Sequence, residues 1–154
     1  MYPNMKVAFS CATIFLIVAT QTGCTALVRT EALPATKASQ VPSSRLLAYQ
    51  QEKAGDTRLI VTRDRGFMAS GCFLALAIEG TIAARFDPEE TATFFVPNGK
   101  VQMAVVPDPS ARGLCSVNSW DPVLDNYELK VDGRNSFRIS LGAYRRPRVV
   151  PSVY

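Results

Sequence analysis

Hydrophobic and polar positions divide the chain into three stretches of different character. From Val7 to Thr20 the residues VAFSCATIFLIVAT form a nearly continuous apolar segment. About 20 apolar residues are needed for a helix to cross a bilayer, so this run is too short for a stable span and suits the apolar region of an export leader. Residues 25 to about 43, TALVRTEALPATKASQVPS, show neither the helical period nor the strand period. Small and polar residues dominate there and prolines interrupt, so the stretch predicts a flexible tether. Beyond it come short β-rich runs separated by turn residues.

Ser43 or Ser44 is placed to N-cap a short helix through Leu46, Leu47 and Tyr49, closed by Gly55. Strands are predicted at Thr57–Thr62, Gly71–Ile78, Thr81–Phe86, Thr91–Val96, Val101–Val106, Tyr127–Val131 and Ser136–Leu141. The run GCFLALAI at 71–78 lacks alternation, as expected of a strand buried on both faces. Glu79-Gly80 predicts a tight turn, and Pro97-Asn98-Gly99-Lys100 and Asp132-Gly133-Arg134 predict two further hairpins. A long proline-containing loop fills 107–126. Evenly spaced strands of this kind predict an all-β fold, a compact antiparallel β-sandwich with one short N-terminal helix. The expected divisions are a leader at 1–23, a tether at 24–43 and the β-domain at 44–154, with no internal repeat.

Composition narrows the chemistry. Of 154 residues, 47% are apolar and 19% charged, which is neither a disordered composition nor that of a membrane bundle. The net charge of +4 is mild, and no long run of Lys and Arg supports a nucleic-acid partner. Histidine is absent, which excludes Ser-His-Asp and Cys-His nucleophile pairs and the commonest zinc sites. No Ser-x-x-Lys dyad, GxSxG motif or Gly-rich phosphate loop occurs. The sequence therefore presents no catalytic constellation, resident metal site or identifiable small-molecule substrate.

The apolar run ends in Gln21-Thr22-Gly23-Cys24. These residues resemble the lipobox of bacterial lipoproteins, in which a small residue and Gly or Ala precede an essential cysteine. Thr22 and Gly23 match, whereas Gln21 departs from the usual apolar residue. The resemblance implies cleavage after Gly23, a diacylglycerol thioether on Cys24 and N-acylation, palmitate-type chains that hold the protein on a membrane. Thr25, not aspartate, implies sorting to the outer membrane in a Gram-negative host. The alternative is an ordinary secretory signal cut near Ala19 or Ala26.

The resemblance extends into the domain. Val61-Thr62-Arg63-Asp64, Ser70-Gly71-Cys72, Gly80 with Ile82-Ala83-Ala84-Arg85, Phe95-Val96-Pro97-Asn98-Gly99, Gly113-Leu114-Cys115 and Phe137-Arg138-Ile139 look like a group of small uncharacterised proteobacterial lipoproteins. The likeness covers about residues 57–141 and rests on turn and strand signals. It implies location and a short-stranded β-sandwich, and no activity.

Export leaves Cys72 and Cys115 as the two cysteines of the folded part, and in an oxidising compartment such a pair is expected to bridge. Redox catalysis is the alternative, but a CxxC spacing is lacking. Arg63-Asp64-Arg65 reads as a solvated turn, or as a site for an anionic group. Glu89-Glu90 with Asp87 reads as another solvated turn, or as paired carboxylates or a calcium loop. Trp120 and Tyr127 are candidates for a partner-contact surface, or for aromatics capping the core. Arg145-Arg146-Pro147-Arg148 reads as a solvated basic tail, or as a contact with anionic lipid.

Two functions follow as expectations. One is a non-catalytic binding or structural module anchored in the envelope, with an envelope protein as partner. The other is an envelope enzyme acting on wall or lipid material, with Asp64 beside Glu79 or Asp87; a secreted inhibitor or immunity-type protein is a further possibility.

Overall fold

The computed structural model describes residues 30–66, 71–117, 120–131, 133–141 and 146–153. The leader, Gln21, Thr22, Gly23 and Cys24 lie outside the described residues, as do Ser70, Asp132 and Arg145. Among the described residues, nine strands form two sheets. They are β1 (Ser39–Gln40), β2 (Asp56–Arg63), β3 (Leu74–Ile78), β4 (Thr81–Phe86), β5 (Glu90–Pro97), β6 (Gly99–Pro107), β7 (Asp125–Leu129), β8 (Ser136–Leu141) and β9 (Pro147–Pro151). The first sheet runs β1-β5-β2-β8-β9 and the second β4-β3-β6-β7. The expected all-β sandwich is what the chain forms. Most pairs are antiparallel, but β1–β5 and β2–β8 are parallel.

Alternation along the strands builds the core. Leu59 and Val61 of β2, Phe94 and Val96 of β5 and Ile139 of β8 point inward from the first sheet. Leu76 and Ile78 of β3, Phe86 of β4 and Met103 and Val105 of β6 meet them from the second. Each such side chain contributes roughly 1.5–3 kcal/mol by leaving water. All five residues of β3 are buried, as its unbroken apolar run predicts. Glu79 and Gly80 both take positive φ, 48° and 75°, and turn β3 directly into β4.

Four expectations are corrected. The helix over 44–55 does not form; a single 3-10 turn at Ser43–Arg45 is followed by an extended strap. The Leu47 and Ala48 amides donate to the Ala83 carbonyl, and the Phe95 amide donates to the Tyr49 carbonyl. The strap thereby ties β4 of one sheet to β5 of the other. Unpaired backbone groups on two sheet edges outcompete a short helix that would need its own nucleus.

The expected tether is, from Thr30 onward, part of the domain. Glu31 bridges Arg65, Leu33 and Val41 are buried, and β1 pairs with β5. Isolated apolar residues in a polar stretch suffice here because the sheet already offers them a surface.

Neither Pro97–Lys100 nor the 130–135 turn makes a hairpin. β5 and β6 belong to different sheets, and so do β7 and β8. Gly99 at φ +101° lets the chain step across the sandwich rather than return along the same edge. Finally, the basic tail is not solvated throughout. Pro147–Pro151 forms β9 on β8, with Val149 fully buried.

Candidate functional site

Polar side chains gather at the end of the sandwich where β2 leaves the core. Arg63 continues the inward series of Leu59 and Val61, so its guanidinium enters the mouth between the sheets. It is 2% exposed and donates to the carbonyls of Cys72 and Phe86 at 2.9 and 2.7 Å. Burial pulls its pKa down to about 10, while Asp87 and Glu90 act in the opposite sense. The expected solvated turn at Arg63-Asp64-Arg65 is therefore wrong for its first two members.

Two more arginines surround this point. Arg45, at the end of the 3-10 turn, forks onto Glu90 with contacts of 2.7 and 2.5 Å. Glu90 also accepts the Asp87 amide at 2.7 Å, so it closes the β4–β5 turn rather than lying solvated with Glu89. Arg85 forks onto Asp108 at 2.8 and 2.6 Å. Burial works against the ionised Asp108, but the bonds from Arg85 and the Ser110 amide prevail and hold its carboxyl below the usual range. The ring of Phe73 lies 4.5 Å from the Arg45 guanidinium carbon and 5.0 Å from that of Arg85, a double cation–π arrangement. Beside it Cys72 and Cys115 form the expected disulfide, which fastens the turn at Gly113–Val117 to the start of β3.

Asp64 faces the opposite way, onto the outer surface of the first sheet. Its side chain is fully buried, paired with Arg138 and hydrogen-bonded by Thr30 at 2.9 Å. Burial raises its pKa, opposed by the bonds from Thr30, Arg138 and Ser140. One carboxylate oxygen and the Arg138 Nε are buried without a hydrogen-bond partner.

The carboxylates singled out for acid–base work do not converge. Asp64 is engaged by Thr30 and Arg138, whereas Glu79 accepts the Gln102 amide at the far turn of β3 and β4. Asp87 faces Arg63. Among the described residues, no group of three or more Cys, Asp and Glu side chains gathers as metal ligands.

Both candidate contact aromatics are half-buried against the core. The Trp120 indole donates to the Val105 carbonyl at 3.0 Å. The Tyr127 hydroxyl donates to the Val149 carbonyl at 2.7 Å, and its ring sits 4.7 Å from that of Phe137. Burial, then the nearby Asp125, pushes the Tyr127 hydroxyl pKa up. These bonds tie both aromatics to the core of the fold.

Arg45, Phe73, Arg85 and Asp108 went unnoticed in the sequence because they lie apart along it. The chain matches no family model, no curated protein and no solved structure. The network's donors and acceptors are largely committed to one another, an arrangement that rigidifies one end of the sandwich. Among the described residues, an open recess of about 550 Å³ lies under the strap at Leu46–Gln51 and another of about 400 Å³ on the outer face of the first sheet.

Proposed function

We propose that the chain is exported, lipidated at Cys24 and held on the bacterial envelope, in a Gram-negative host on the outer membrane. There the β-sandwich serves as a non-catalytic binding or structural module. The observation that carries the reading is the apolar run followed at once by Thr22-Gly23-Cys24. The bridge between Cys72 and Cys115 suits an oxidising compartment.

Thr30, bonded to Asp64 and Leu141, lies six residues after Cys24, and a chain of that length reaches at most about 20 Å. The domain would stand against the membrane with little freedom to search far from it. Radiolabelled palmitate should enter the wild-type protein and not Cys24→Ser, and globomycin should make the uncleaved form accumulate. An unmodified thiol at Cys24 in the mature protein would overturn the assignment.

A further inference from the structure

The outer face of the first sheet is only half covered. The arm from Thr30 lies against it, burying Leu33 and bonding Asp64. Beyond the arm a recess of about 400 Å³ stays open, with Ile60 in its lining, Pro34 and Ala35 along one side, and Arg58 and Arg134 among its polar groups.

The placement of the two arginines follows from the register. β2 and β8 are parallel and pair Ile60 with Ser136, and Arg58 and Arg134 each stand two residues earlier on their chains. Leu59 and Val61 point into the core, so Arg58 and Ile60 point outward. The Asn135 side-chain amide donates to the carbonyls of Arg58 and Lys130 at 3.3 and 2.8 Å, and its carbonyl accepts the Lys130 amide at 3.0 Å. Asn135 is itself buried, so the turn that carries Arg134 is held against the strand that carries Arg58.

Two arginines, Arg58 and Arg134, line this one recess. Arg45, Arg85, Arg138 and Arg148 each have a carboxylate partner in Glu90, Asp108, Asp64 and Asp125. Among the described residues, Arg58 and Arg134 have none. Like charges lining one recess repel, and guanidinium forks match phosphate oxygens. The volume suits a small ligand, and the apolar side at Ile60, Pro34 and Ala35 suits a short hydrophobic group.

We propose that this recess binds a phosphate monoester dianion, its oxygens shared between Arg58 and Arg134 and its organic group resting on Ile60 and Ala35. The site names a ligand class for the binding-module reading but does not depend on the lipid anchor, so loss of labelling at Cys24 would leave it standing. A soluble phosphate ester and the headgroup of a phosphatidic-acid-type lipid offer the same chemistry.

The test uses the 15N-labelled full chain in a non-ionic detergent, titrated with phenyl phosphate. Saturable shifts are expected at the amides of Ile60, Gly133 and Ser136. Arg58→Gln or Arg134→Gln should weaken the affinity at least about tenfold, and the double variant should abolish it. Both residues are exposed, so melting temperatures should not change. A parallel arm measures flotation with phosphatidylcholine vesicles containing or lacking phosphatidic acid. Arginine-dependent binding in the titration alone identifies a soluble ester, and in the flotation alone a lipid; either supports the site. Absence of binding in both arms, shifts reproduced by chloride at equal ionic strength, or binding retained by the double variant would overturn it.

Discussion

Thr30 donates a hydrogen bond to the buried carboxylate of Asp64, 34 residues further along the chain, and through it the N-terminal arm is locked onto the outer face of the first sheet. The same hydroxyl oxygen accepts the Leu141 amide at 3.0 Å, so one side chain joins the arm to both β2 and β8. The junction between arm and domain therefore rests on a few polar contacts around an ion pair.

Thr30→Val keeps the shape and removes these two bonds together with the 3.2 Å contact to Ser140 Oγ. It should cost about 1–3 kcal/mol, since it also leaves the Asp64 carboxylate less satisfied. Amide exchange across residues 31–41 should accelerate in the variant while β3 and β6 stay protected. Equal exchange in both proteins would mean that the arm is held by Leu33 and Val41 alone.

The Arg45–Glu90 fork is shielded from water, its side chains 14% and 11% exposed. Removing one partner strands the other, so Glu90→Gln should destabilise by roughly 3–5 kcal/mol. Replacing both with apolar residues of similar volume, Arg45→Met with Glu90→Leu, should recover much of that loss. Urea unfolding of the single and double variants measures the coupling.

Asp108 sets part of the acid response. Its carboxyl titrates below the ordinary aspartate value in the folded state, so the unfolded state binds its proton first as pH falls. The stabilisation is complete above about pH 4 and is lost as pH drops through the lowered value. Asp108→Asn should be less stable than wild type at neutral pH, and its stability should fall less between pH 5 and 2. Asp64, raised by burial, contributes with the opposite sign: its part weakens as pH rises through the interval above the ordinary value. Thermal melts of Asp108→Asn and wild type across that range check the sign.

The bridge between Cys72 and Cys115 closes a loop of 43 residues' separation. Chain-entropy arithmetic puts the stabilisation at about 4 kcal/mol. Cys72→Ser with Cys115→Ser should lower the denaturant midpoint accordingly, and added reductant should change wild type but not the double variant.

The fold class was legible because side-chain alternation is a local property. Leu59 and Val61, or Phe94 and Val96, announce a half-buried strand whatever lies opposite, and Glu79-Gly80 announces a reversal whose strands do pair. The disulfide was legible because Cys72 and Cys115 are the two cysteines within the expected β-domain. The candidate site was scarcely legible. Arg63 and Asp64 look like any charged strand end, and only the parallel pairing of β2 with β8 brings Arg138 to Asp64 and Arg134 near Arg58.

The linear pattern determined which segments extend, where they turn and which face of each enters the core, since those depend on neighbours one or two residues away. Tertiary structure decided which sheet each strand joined, turning two apparent hairpins into crossings between layers. It also decided that an arm without periodicity and a basic tail would add β1 and β9. Those outcomes depend on sheet edges with unpaired amides and carbonyls, and such edges exist only after distant strands have met.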